Sequence, residues 1–298
     1  MTAPPPTSLL NPTFLRLLER LTVHLQGRVR GDRMGERRSK RRGTGGDFAD
    51  MRPYTSGDDL RHLDWPSFAR LDTLFVRLYE EPREHTLNLL IDSSASMACG
   101  KADFTRQLAA ALGYIALRGQ DRVGLFLLGD RLRGTLGPLR GKPAIHRMLQ
   151  WLETIAFGGT TDLERAVRGF VATRARGTVV VLSDFLVPEG RVESLRILAG
   201  RRTQVVVLHI LAPEERLPPL GQELTFVDAE SGEELQVAVD RQTQAAYLAE
   251  LTALTDELRQ TCRAYGLTWV DVDAGMPLEH LFLGPLRRQG VLDRLGRA

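Results

Sequence analysis

Two aspartates and a set of hydroxyls stand at spacings that could hold a hard metal ion. The run Asp92-Ser93-Ser94-Ala95-Ser96 puts Asp92, Ser94 and Ser96 at alternate positions, so on an extended loop their side chains point the same way. Gly158-Gly159-Thr160-Thr161-Asp162 follows later in the chain, and Ser183-Asp184 after that. Carboxylates and hydroxyls are hard oxygen ligands. The set suits Mg2+ or Mn2+, which want near-octahedral oxygen and keep water where charged ligands are few. A second reading stands beside it, because Asp and Ser at the end of a strand also cap the helix that follows. The two cysteines, Cys99 and Cys262, and the six scattered histidines add no zinc-type spacing.

Short apolar runs at 87–92, 123–128, 179–182, 205–211 and 267–272 read as buried strands, and apolar stripes at 104–115, 145–152, 163–170 and 248–262 read as helices between them. Such alternation predicts a parallel sheet covered by helices on both faces. Ligands then sit beyond the carboxyl ends of the strands, at a topological switch point. Asp92 ends one apolar run, and Asp184 closes another after Ser183. Alternating segments around Ser231-Gly232 predict a β-hairpin insertion at about 223–239. Upstream, Asn11-Pro12 signals a helix start. Phe14, Leu17, Leu18, Leu21 and Leu25 share one helical face, which predicts an amphipathic helix over 12–25. Residues 73–79 alternate as a strand does. The expected organisation is an N-terminal extension over 1–84, an α/β domain over 85–275 and a C-terminal tail over 276–298.

Hydrophobic residues at 43% and charged residues at 26% exclude wholesale disorder. The net charge of +3 is unevenly placed: between Arg28 and Arg42, eight Arg and Lys face only Asp32 and Glu36. Such a run is either a solvated or internally paired arm or a phosphate-binding segment. No aromatic residue interleaves it, so nucleic-acid binding through 28–42 would lack a stacking platform. No apolar run reaches the roughly 18 residues of a membrane span. The start, MTAPPPTSLLNPTF, lacks the basic-then-apolar pattern of a signal peptide, and a cytoplasmic location is expected. No GxSxG elbow is present, and Gly100-Lys101 is followed by Ala102 without the upstream glycine of a phosphate loop. A phosphatase of the haloacid dehalogenase type needs a second Asp where Ser94 stands. The expectation is therefore a protein that is not an enzyme, with a metal-dependent hydrolase or phosphatase as the alternative.

IDSSASM, GGTTDLERAV and VVVLSDF resemble the metal-ion-dependent adhesion site of the von Willebrand factor A domain. That resemblance implies a Rossmann-like sheet and a divalent cation, Mg2+ or Mn2+, held by Asp92, Ser94, Ser96, Thr161 and Asp184. Thr161 matches the family's threonine by lying five residues before Ala166, with Thr160 as the competing choice. The family commonly follows the last acid with glycine, whereas Phe185 stands here.

The upstream block SKRRGTGGDFADMRPYTSGDDLRHLDWPSFARLDTLFVRLYEE resembles the signature of the bacterial family called domain of unknown function 58. The matching positions are Phe48, Arg52, Tyr54, Gly57, Asp58, Asp59, Arg61, Asp64, Trp65, Ala69 and Arg70. The likeness covers roughly residues 27–275. Many members carry two transmembrane helices ahead of the block, so this chain resembles the soluble branch. The resemblance implies a partner, a MoxR-type AAA+ ATPase, with this chain as partner or adaptor in a chaperone-like or complex-maturation system. A cation held by hydroxyls and few acids would keep a position open for a partner carboxylate. Two readings of the signature block stand: an Asp/Arg network around a buried Trp65, or a surface read by the partner.

Overall fold

The computed structural model describes residues 9–23, 47–55, 58, 60–80, 85–187, 189–201, 203–221, 223–227 and 234–294. The basic run at 28–42, Gly57, Asp59 and the hairpin turn at Ser231-Gly232 lie outside them.

Helix α1 (Pro12–Leu18) begins as its sequence dictates: Asn11 accepts the Phe14 amide at 2.7 Å, and proline takes the first helical position. Strand β1 (Leu21–Val23) follows. Residues 30–84 form a unit of their own, with β2 (Asp47–Pro53), helix α2 (Trp65–Leu71) and β3 (Phe75–Glu80), β2 and β3 pairing antiparallel. The other unit takes residues 1–29 and 85–298. It continues with β4 (Thr86–Asp92), α3 (Ala95–Ala98), α4 (Ala102–Arg118), β5 (Arg122–Leu128), β6 (Leu132–Arg140) and α5 (Ala144–Glu153). Then come α6 (Leu163–Ala172), β7 (Thr178–Ser183), α7 (Arg191–Ala199), β8 (Val205–Leu211), α8 (Pro213–Arg216), β9 (Glu223–Val227) and β10 (Glu234–Ala238). The last elements are α9 (Arg241–Tyr265), β11 (Thr268–Asp273), α10 (Leu278–Leu283), α11 (Pro285–Arg288) and β12 (Leu292–Arg294).

Six strands form one sheet in the order β11-β8-β7-β4-β5-β6, parallel throughout except for β6, which runs antiparallel to β5. Successive β4 residues face opposite sides. Leu87, Leu89 and Ile91 enter a core with α1, α4, α5 and α10, while Leu90 enters another with α6, α7 and α9. Burial on both faces is why these strands read as unbroken apolar runs. From β4 the chain goes to β5 and β6 on one side and to β7, β8 and β11 on the other. The switch point therefore falls between β4 and β7, with Asp92 and Ser183-Asp184 at their carboxyl ends. The hairpin β9–β10 interrupts the alternation where expected. Among the described residues, no helix is long and apolar enough to cross a membrane.

Two expectations need correction. The helix expected over 12–25 stops at Leu18. Leu21–Val23 is instead drawn into an antiparallel pair with β12, a partner that local periodicity cannot reveal. The expected tail at 276–298 carries α10, α11 and β12, and Leu281, Phe282 and Leu286 are fully buried. Helix α1 packs into the same core, with Phe14 edge-on to Phe282 at 5.5 Å.

Candidate metal-ion site

The β4 carboxyl end delivers Asp92 into the crevice, fully buried. Its Oδ1 accepts the Ser94 amide at 2.9 Å, and its Oδ2 accepts the Ser183 hydroxyl at 2.6 Å. The turn that follows is anchored to β5, because the Ser93 amide and hydroxyl both donate to the Leu128 carbonyl. Ser94 and Ser96 then bring their Oγ atoms within 2.9 Å of each other. Ser94 stands at the N-cap of α3 but makes no side-chain cap bond, so its hydroxyl serves the crevice instead. Capping does occur at α6, where Asp162 accepts the Arg165 amide at 2.8 Å.

The Gly158–Thr161 loop is laid against this turn. Gly158 donates to the Ser93 carbonyl at 2.8 Å, and Ala95 donates to the Gly159 carbonyl at 3.1 Å. Arg133 of β6 holds the loop from the other side, with bonds to the Gly158 and Thr160 carbonyls at 2.7 and 3.0 Å. The Thr161 hydroxyl lies 3.5 Å from Asp92 Oδ1, while Thr160 is exposed. Of the two threonines, Thr161 is the one turned to the aspartate.

Asp184 is fully buried at the end of β7, and its oxygens are already engaged. Oδ1 accepts the Leu186 amide at 3.0 Å, and Oδ2 accepts from Lys101 Nζ at 2.7 Å. Lys101 is itself inaccessible to solvent and bonds a second carboxylate, Glu215 of α8. His209 of β8 contacts the Asp184 carbonyl through Nε2 at 3.0 Å. Burial, reinforced by the Asp184 charge, pushes the Asp92 carboxyl up to about 6 against the hydrogen bonds from Ser183 and Ser94. Burial also opposes the Lys101 ammonium, but Asp184 and Glu215 outweigh it and raise its pKa.

Phe185, standing where the A-domain pattern has glycine, sits in the left-handed region at φ 53° and is buried. The backbone turn survives without glycine at a cost of roughly 1 kcal/mol or more. The ring is packed beside Trp269, centroids 6.4 Å apart, which offsets that cost.

Oxygens adjacent on an octahedron at the Mg2+ bond length lie about 2.9 Å apart, the separation of the Ser94 and Ser96 hydroxyls. With Thr161 and Asp92 beside them, the donor chemistry fits a hard divalent cation. Asp184 fits only as a more distant acid, because Lys101 and Leu186 hold its oxygens. Among the described residues, no group of three or more His, Cys, Asp or Glu could hold a metal, so any cation here depends on hydroxyls.

The model of the family described as protein of unknown function DUF58 matches residues 50–256. The chain belongs to the DUF58 family. A relative in Mycobacterium tuberculosis (strain H37Rv), uncharacterized protein Rv1480, is 30% identical over 85% of this chain and 81% of its own length. Among solved structures, this DUF58 chain is similar to the conserved hypothetical protein BatB from Bacteroides thetaiotaomicron, at 16% identity and a TM-score of 0.42. That match covers 69% of this chain and 98% of BatB. It is also similar to the SpRpn10 VWA domain, at 14% identity and a TM-score of 0.40 over 65% of this chain and 91% of that domain.

In the DUF58 signature block, Arg52 pairs with Asp58 at 2.6 Å, and Asp58 also accepts the Thr55 amide and hydroxyl. The Arg52 bond, with those from Thr55, holds the Asp58 carboxyl well below the usual range. Tyr54 donates its amide to the Leu74 carbonyl, Asp64 accepts the Ser67 hydroxyl at 2.6 Å, and Arg70 bonds the Pro66 carbonyl. Arg61 is exposed. Trp65 corrects the expectation of a buried anchor: it is 60% exposed, edge-on to Phe68. The reason is local, since α2 has no buried residue at all and Trp65 opens it.

Sequence reasoning passed over Lys101, Ser183, Arg133 and Glu215 as site residues. Lys101 registered only as a failed phosphate loop, and its two acids lie 83 and 114 positions away. Ser183 was visible beside Asp184, with nothing to say that it faces Asp92.

Proposed function

We propose that this DUF58 chain is a divalent-metal-dependent protein-binding module and has no catalytic activity of its own. The observation that carries the reading is the Ser94–Ser96 hydroxyl pair, 2.9 Å apart with Thr161 and Asp92 alongside. Ser94, Ser96 and Thr161 would hold Mg2+ or Mn2+ without adding charge, and Asp92 would supply one negative charge from behind. A cation bound there would offer an open coordination position to a carboxylate. The rest of the work belongs to the chain: Ser183 orients Asp92, and Arg133 fixes the loop that carries Thr161.

The partner we propose is a MoxR-type AAA+ ATPase, contributing one Asp or Glu side chain, in a chaperone-like or complex-maturation system. Calorimetry of the two full-length proteins tests this. Binding should be present with Mg2+, lost in EDTA, and lost in Asp92→Asn and Thr161→Ala variants that still fold. Equal affinity in Mg2+ and EDTA would overturn the metal-dependent reading.

A further inference from the structure

Lys101 is the one large charged side chain in the α/β unit whose burial is complete among the described residues. It lies between α3 and α4, immediately before α4 begins, yet its ammonium does not cap either helix. Instead it bridges Asp184, at the end of β7, and Glu215, in the turn after β8. Glu215 is held in place through its other oxygen, which accepts the Ala212 amide at 2.8 Å. Tyr247 of α9 donates its hydroxyl to the Glu215 carbonyl at 2.7 Å. The lysine is thus a fixed point where three segments meet, and a buried ammonium is tolerated only with such paired acids.

Asp92 feels the Asp184 charge, and Asp184 in turn shares the Lys101 ammonium with Glu215. A divalent ion beside Asp92 would otherwise feel Asp184 directly and Glu215 behind it. With Lys101 in place, two acids are already spoken for. Their oxygens are hydrogen-bonded to an ammonium that is fully buried.

We infer that Lys101 is a built-in counter-cation of the metal-ion site: it holds Asp184 and Glu215 off the divalent ion, so that the ion is opposed mainly by Asp92 and keeps its positive charge for an incoming carboxylate. This rests on the metal-binding reading above and assigns Lys101 a positioning role in it. It also gives the site a moderate appetite for metal by design. A site with all its acids free would bind a divalent ion tightly and neutralise it, leaving little attraction for a partner.

The test is Mn2+ binding by the full chain, measured by calorimetry alongside the Mn2+-induced rise in melting temperature. Lys101→Met removes the charge and keeps the stem. It should bind Mn2+ about tenfold tighter or more than wild type, the scale of effect expected when one unit charge is removed close to a partly buried ion. A merely structural lysine predicts the opposite, weaker binding. Adding Asp92→Asn to Lys101→Met should abolish the gain and so locate it at this site. Should Lys101→Met not fold, Lys101→Met/Glu215→Gln is compared with Glu215→Gln alone, with the same direction expected. If wild type binds Mn2+ and removal of the lysine charge leaves affinity unchanged or weaker, the inference is wrong and the metal site stands. If only the lysine variant binds, Lys101 itself fills the cation's place, and both the inference and the metal-dependent reading of the wild type fall. If neither binds, both fall.

Discussion

Asp271 is a carboxylate whose environment settles its charge. Burial opposes its ionisation, but His209, the Trp269 indole at 3.0 Å and Arg259 at 3.1 Å win, and its pKa lies below the ordinary carboxylate range. A depressed acid contributes stability that is fully present above the unfolded value near 4 and is lost as pH falls toward the folded value. Asp271→Asn should therefore cost ~1 kcal/mol or less at pH 7, because the side chain is 41% exposed and solvent screens its pair with Arg259. The gap to wild type should begin to narrow as pH drops below about 4 and should close only near the depressed folded value. Urea denaturation at pH 7 and pH 3 measures both arms, and a gap that stays constant would show that the ionised carboxylate is not what matters. At this scale the sequence pointed to residues that gather at the strand ends and missed what several of them bond. Asp92, Ser94 and Ser96 were legible because their spacing is local, and Thr161, 69 positions from Asp92, because it follows a Gly-Gly pair just before a helix. The ammonium bound to Asp184 was not, because nothing in a lysine that precedes a helix announces that it will be buried.

Among elements, the strands buried on both faces were legible from unbroken apolar runs, and β6 was not. It is an edge strand with Gly134, Gly137 and Pro138 in its length and an exposed face, so it carries neither the continuous apolar signal nor a clean alternation. Helix α7 escaped for a related reason: Val192, Leu195 and Leu198 are spaced as a helix requires, but the segment is only nine residues long and rich in charge. Helix α2 inverts an expectation. With Trp65 60% exposed, Trp65→Ala should change stability by no more than about 0.5 kcal/mol, the range of ordinary surface substitutions, and not by the several kcal/mol of a core tryptophan. Chemical denaturation decides this. A loss of 3 kcal/mol or more would mean that the ring is covered in solution. An unchanged stability, with weaker retention of the proposed ATPase partner, would make α2 part of a docking surface.

For the molecule as a whole, the pairing of Leu21, Thr22 and Val23 with Arg294, Asp293 and Leu292 has a topological meaning. Among the described residues the first strand and the last are neighbours, so residues 21 to 294 run almost in a closed ring. A link from Arg294 back to Leu9 need span little more than the roughly 10 Å length of α1, and a segment of about twelve residues reaches up to about 40 Å. Joining Ala298 to Met1 and reopening the chain between the exposed Gly119 and Gln120 should give a circular permutant that folds, melts within a few degrees of the parent and responds to Mn2+ in the same way. The cut falls at the amino end of β5, opposite the carboxyl ends that carry Asp92 and Asp184. A permutant that failed to fold would show that α4 must be continuous with β5 for the sheet to assemble.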